Sequence, residues 1–177
     1  MESGEQTTRS RDNNGILFAV FIMLMMFYFA ASTSLRNRHW QDPLTIWHDV
    51  LSKSPWSVRP YNNLGNAYRV DYNKPREAIK YYDRAHELSP REVPPLHNMA
   101  VSYLMLRDFN GASIALEKAV QIDPSHAVLW GNLGYTYLMT NRITEAVDAF
   151  KTALVIDPNY KMARENLEWA QMAYGVK

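Results

Sequence analysis

Residues 130–158 read WGNLGYTYLMTNRITEAVDAFKTALVIDP, and the same frame of residues occurs three times in this chain. Here it is Trp130-x2-Leu133-Gly134-x2-Tyr137, then Ala146-x3-Phe150, Ala153 and Pro158. Upstream stand Tyr61-x2-Leu64-Gly65-x2-Tyr68, Ala78-x3-Tyr82, Ala85 and Pro90, and a looser copy, Leu96-x2-Met99-Ala100-x2-Tyr103, Ala112-x3-Leu116, Ala119 and Pro124. The prolines Pro55, Pro90, Pro124 and Pro158 are spaced by 35, 34 and 34 residues. In the first half of each unit the large residues fall at i, i+3 and i+7, one face of a helix. In the second half a small, a large and a small residue fall at i, i+4 and i+7, which again share a face. Each unit therefore predicts two helices, A and B. Gly65, Ala100 and Gly134 lie beside the A-helix stripe, where a small residue lets helix B approach. The closing proline cannot continue a helix, and Pro75 is well placed at a first helical position. The first unit carries one extra residue, expected in the turn Asp71-Tyr72-Asn73-Lys74.

Period and pattern resemble the tetratricopeptide repeat (TPR), a helix–turn–helix unit that stacks into a solenoid. The resemblance implies repeats over residues 55–90, 91–124 and 125–158. Residues 43–53 carry Trp47 and Val50 in the large and small places of a B helix with no A helix before it. Residues 36–54 thus read as a junction holding an unpaired helix over the first repeat, and residues 159–177 as a capping helix. In that cap Lys161, Arg164, Glu165, Glu168 and Gln171 share one side, and Ala163, Leu167, Ala170 and Tyr174 another. Solenoid ends need such a polar face.

Residues 1–14 form a polar tail, and residues 15–35, GILFAVFIMLMMFYFAASTSL, contain no charge. As a helix they span about 31 Å, a bilayer's hydrocarbon thickness. They are read as a retained signal anchor, a single transmembrane helix; the alternative is a signal peptide cleaved near Ala30-Ala31-Ser32. Lys and Arg counts on the two flanks tie, so charge does not orient it. The run from Arg36 through Trp40, Trp47 and Pro55 to Gly65 resembles the junction between the last membrane helix and the repeats of O-mannosyltransferase-like polytopic TPR membrane proteins. That resemblance implies repeats on the non-cytoplasmic side, in the periplasm or ER lumen. The family's multi-span catalytic portion is not in this sequence, so its activity is not carried over. The fold expected is all-α: a short TPR solenoid of three repeats plus flanking helices behind one N-terminal transmembrane helix.

Formal net charge is +1 and the basic residues are scattered, which disfavours nucleic acid as a partner. The chain has no cysteine, excluding disulfides, thiolate metal sites and a cysteine nucleophile. His39, His48, His86, His97 and His126 are not spaced as metal ligands, and no phosphate-binding glycine loop occurs. No catalytic residue, metal, cofactor or small-molecule substrate is expected. The repeats are read as a non-enzymatic module.

The TPR resemblance places a partner on the A helices, along a concave groove. Its inward positions are Arg59, Asn62, Asn66, Arg69 and Val70, then His97, Val101, Leu104 and Met105, then Val128, Gly131, Tyr135, Leu138 and Met139. The set begins polar and cationic and turns apolar and Met-rich, suiting a helix with an acidic end and an apolar face. Arg59 and Arg69 with Asn62 and Asn66 resemble the carboxylate clamp of chaperone-binding TPRs in part; Pro94 and His97 break it in the second repeat. Asn63, Asn98, Asn132 and Asn166 recur once per A helix. They resemble the asparagine ladder of O-GlcNAc transferase, which holds a peptide backbone; the plainer alternative is that they satisfy groups between neighbouring helices. The function expected is that of a membrane-anchored scaffold, assembly factor or accessory subunit binding a protein or peptide. Two alternatives stay open: a substrate-binding arm of a membrane glycosyltransferase system, and a small subunit held in a membrane complex through its transmembrane helix.

Overall fold

The computed structural model describes residues 18–34 and 42–175. The chain divides into two compact units, Met1–Ile46 and Trp47–Lys177. All regular structure among the described residues is helical.

The first unit contains helix α1, over residues 18–34, and the start of α2 (Pro43–Lys53). The 17 residues of α1 reach about 25 Å, less than the roughly 30 Å of a bilayer's hydrocarbon core. Its last turn is the hydroxyl run Ser32-Thr33-Ser34, in which Ser32 Oγ donates to the Tyr28 carbonyl. Among the described residues no helix is long and apolar enough to cross a membrane. The expected transmembrane helix over residues 15–35 is therefore corrected, although residues 15–17 and 35 lie outside the described residues. With it fall the signal anchor, the membrane as a partner, the membrane localisation with its non-cytoplasmic side, and the likeness to a membrane-to-repeat junction. The membrane-anchored, glycosyltransferase-arm and membrane-subunit roles lose their basis too. The expected tail over residues 1–14 and residues 36–41 of the junction lie outside the described residues. At the start of α2 the Asp42 carboxylate accepts from the Leu44 and Thr45 backbone amides, 3.2 Å each, and so caps the helix.

The second unit continues with α3 (Val58–Asn66), α4 (Pro75–Leu88), α5 (Val93–Met105), α6 (Phe109–Ile122), α7 (Ala127–Met139), α8 (Ile143–Ile156) and α9 (Lys161–Tyr174). Helices consecutive in sequence pack side by side, and α3 also touches α5, as α7 touches α9. Odd-numbered helices from α3 onward are thus the A helices, and α4, α6 and α8 the B helices. The large B-helix residues Tyr82, Leu116 and Phe150 are fully buried. A Cβ on Gly65 would lie 2.4 Å from the Tyr82 ring, and one on Gly134 2.7 Å from Phe150. This contact is why glycine stands there despite its helix-propensity cost of about 1 kcal/mol against alanine. In the second repeat Leu116 replaces the ring, and Ala100 serves.

Each A–B turn has one non-glycine residue in the left-handed region, Asn73 (φ 50°), Arg107 (φ 58°) and Asn141 (φ 62°). The following amides close the turns: Asp108 N donates to Tyr103 O at 2.9 Å, and Arg142 N to Tyr137 O at 2.8 Å. In the first repeat Lys74 N reaches Tyr68 O, one residue further back. The extra residue is therefore not in the turn, as expected, but one turn earlier, where Ala67–Asp71 is wound as a π-helix. A single wide turn absorbs the insertion while leaving Tyr68 and Asn73 in their repeat positions.

Helix α2 forms where an unpaired helix was expected, yet none of its residues is buried. Its His48 ring sits edge-on to Tyr81 of α4, centroids 6.2 Å apart. At the other end α9 buries Ala163 and Ala170 and exposes Lys161, Arg164, Glu165 and Glu168, the polar face expected of a cap. Tyr174, expected on the inner side, is exposed, and so are Trp169 and Met172.

Candidate functional site

The expected groove residues stand on α3, the π-turn after it, α5 and α7, and they differ in how free they are. Arg59 and Val70 are exposed. Asn66 and Arg69 are tied to the core: Tyr82 OH donates to Asn66 Oδ1 at 2.8 Å, while Arg69 Nε donates to that hydroxyl at 3.3 Å and Arg69 Nη2 to Asn66 Oδ1 at 3.4 Å. Burial pushes the Tyr82 hydroxyl above its ordinary range, and the Arg69 cation partly offsets this. Arg69 is thus an oriented cation rather than a swinging one.

Two of the four recurring asparagines, Asn98 and Asn132, link neighbouring A helices. Asn98 Nδ2 donates to Asn62 Oδ1 at 3.1 Å, and Asn132 Nδ2 lies 3.1 Å from His97 Nε2. In each case the asparagine of one repeat meets the residue just before the asparagine of the preceding repeat. For Asn166 that partner position is Gly131, which has no side chain. The Tyr160 ring lies there instead, 2.5 Å from where a Cβ on Gly131 would be. Asn63, in the first A helix, has no earlier repeat to reach. One N–H of Asn98 is spent between helices; its second N–H and its carbonyl oxygen are the groups left to meet a main chain.

His97 occupies the middle of the A-helix edge. Burial holds its ring below the ordinary value of 6.5, and the His126 and Arg69 charges add to the effect. The His126 ring is 6.5 Å away, centroid to centroid. Held neutral, His97 Nε2 accepts from the Asn132 amide.

Beyond His97 the edge becomes apolar. Met105, Tyr135 and Met139 are exposed, Val128 marginally so, while Val101 and Leu104 are half-buried. Leu138 packs against the core cluster of Phe150 and Ala153, and Gly131 is buried. Two residues continue the apolar stretch that the sequence reading left out. Trp169 follows Tyr135, and Met172 follows Leu138, by one repeat length of 34 residues. Trp169 is 48% exposed and Met172 81%. The repeat period carried into α9 was the signal for them; reading α9 only as a polar cap concealed it.

Among the described residues no group of three His, Cys, Asp or Glu side chains is arranged to hold a metal ion.

Sequence comparison matches residues 58–92, 93–126 and 127–160 to the tetratricopeptide repeat. The chain belongs to the tetratricopeptide repeat family. A curated relative, the UDP-N-acetylglucosamine–peptide N-acetylglucosaminyltransferase of Giardia intestinalis, is 33% identical over 72 residues, which are 41% of this chain and 5% of that protein. This chain thus spans a small part of that relative's length. Among solved structures the fold is similar to the crystal structure of MamA, with TM-score 0.70 and 21% identity over 75% of this chain and 77% of that one. It is also similar to the first TPR of Spaghetti (RPAP3) bound to the HSP90 peptide SRMEEVD, with TM-score 0.64 and 23% identity over 67% of this chain and 94% of that one.

Proposed function

We propose that the repeat array is a protein-interaction scaffold that takes a segment of a partner protein along its A-helix edge. The observation that carries the reading is the change of character along that edge. Arg59 and Arg69 mark one end, and Met105, Tyr135, Met139 and Trp169 mark the other, all with exposed or half-exposed side chains. Single exposed apolar residues are ordinary, but a run of methionine and aromatic side chains along one edge suits an adaptable binding surface. The matching segment has an acidic end beside Arg59 and Arg69 and bulky apolar side chains toward α7 and α9. Support also comes from the solved TPR of similar fold that holds a peptide containing both acidic residues and an apolar terminus-proximal valine.

Asn98 and Asn132 are read here as inter-helix links that set the spacing of the A helices. Their remaining polar groups are auxiliary to recognition.

The test is to pan a displayed peptide library on the full chain. Enriched peptides are expected to carry acidic residues at one end and aromatic or aliphatic residues at the other. Met139→Asp should weaken them by about tenfold, the loss of one good apolar anchor. Enrichment of peptides without this polarity, or binding untouched by Met139→Asp and Arg59→Glu, contradicts the reading.

A further inference from the structure

The seam between B helices α4 and α6, away from the A-helix edge, holds a pocket of about 180 Å³. An engineered apolar cavity of about 150 Å³ takes up benzene, so this volume suits one aromatic ring. Its floor is apolar, made by Leu96 and Met99 of α5 and Ala115 of α6.

The repeat itself supplies the comparison that makes this pocket unusual. Shifting the seam by one repeat of 34 residues gives the seam between α6 and α8 of the same molecule. There Leu96 is replaced by Trp130, whose Nε1 is pinned to the Pro124 carbonyl at 2.8 Å. Asp83 is replaced by Glu117, which accepts from Tyr137 OH at 2.9 Å and from Arg142 Nη1 at 3.3 Å. The Arg142 guanidinium also lies over the Tyr137 ring, 3.9 Å from its centroid. Burial and the Glu117 contact push the Tyr137 hydroxyl up to about 12. The depression left at that seam, about 420 Å³, is shallow and open, and its walls are committed to this network.

At the α4–α6 seam the tyrosine and the carboxylate remain, as Tyr103 and Asp83, but the rest of the network is replaced. Leucine stands for tryptophan, Asp108 stands where Arg142 braces the other seam, and Gly111 stands where Glu145 would be. The Tyr103 ring fills the place of the missing Gly111 side chain, with its nearest atom 2.7 Å from where a Cβ would sit. Ile114 replaces Asp148 at the rim and is 57% exposed. His86 replaces Val120, and its Nδ1 is buried with no hydrogen-bond partner in the protein. An exposed isoleucine beside a ring-sized apolar pocket is the arrangement of an anchor site. The two lips carry opposite charges, Asp83 on α4 and Lys118 on α6.

We propose that this seam is a second docking site, which takes a single aromatic side chain of a partner protein flanked by one basic and one acidic residue. The aromatic ring rests on Leu96, Met99 and Ala115 against Ile114. The flanking charges meet Asp83 and Lys118. The site is separate from the A-helix edge and stands or falls independently of it.

Blocked tripeptides with tyrosine between lysine and glutamate, in both orders, and their leucine counterparts, are titrated into the full chain. The methyl resonances of Ile114 and Met99 report binding. One tyrosine peptide is expected to give saturable shifts, weakened about tenfold by Leu96→Trp and by Ile114→Asp, each of which installs the residue of the next repeat. Met139→Ala, on the A-helix edge, should leave the binding constant unchanged. Ile114→Asp lies on the surface and decides the matter if Leu96→Trp disturbs the fold. The proposal is overturned if no peptide saturates, if leucine binds as tightly as tyrosine, or if both pocket variants bind as the parent does.

Discussion

At the scale of the residue, His97 is buried and lies near two charges that act on its proton. Asn132 of α7 shares a hydrogen bond with its Nε2. Burial is the largest influence on its titration, the charges of His126 and Arg69 follow, and all three lower its affinity for a proton. The unfolded chain then binds more protons than the folded one below the ordinary value of 6.5, so stability rises with pH through that region. It is full above 6.5 and declines as pH falls toward the lower folded value. Urea unfolding of the parent should therefore weaken between pH 7.5 and 5.5 by more than unfolding of His97→Gln. Equal losses in the two would place the sensitivity elsewhere. The partners of His97 were not legible in the sequence, because Arg69 and Asn132 lie 28 and 35 residues away from it. Only the stacking of repeats brings them together.

At the scale of the element, the structure turns on small regularities within each helix pair. Asn73, Arg107 and Asn141 take the same left-handed position, and only the second repeat uses arginine there. Asparagine tolerates that conformation and glycine accepts it freely, whereas an ordinary side chain costs about 1 kcal/mol or more. Arg107→Gly is thus expected to stabilise the protein by about 1 kcal/mol, read as a raised urea midpoint with an unchanged slope. A lowered midpoint would mean that the arginine side chain contributes more than the backbone relief. Helix boundaries were legible from the sequence because Pro75, the paired small residues and the closing prolines each have a local physical role. The site of the inserted residue was not. A π-turn at Ala67–Asp71 and a longer loop after it satisfy the same sequence, and the choice depends on keeping Tyr68 against its neighbours. The stretch over residues 15–35 failed for a different reason. Its apolar character was plain, but composition does not say where a helix starts and stops, and the described helix covers residues 18–34.

At the scale of the molecule, the repeats present two kinds of surface. The A-helix edge grades from arginines to methionines and aromatic rings, and the α4–α6 seam carries a ring-sized pocket whose counterpart in the next repeat is walled by Trp130, Tyr137 and Arg142. The gradient could be read from the sequence, since repeat positions translate directly into faces. Its end at Trp169 and Met172 required α9 to be seen as a fourth A helix. The pocket could not be read at all, because it follows from how Leu96, Met99 and Ala115 meet across two helices. The central claim is that the A-helix edge receives a partner. It is tested most directly by placing a photocrosslinking residue at Tyr135 in the full chain in its native extract, with a matched probe at Asp148 on the exposed face of α8. A discrete adduct is expected from Tyr135 and none from Asp148. Equal adducts from both positions, or an adduct from Asp148 alone, would contradict it.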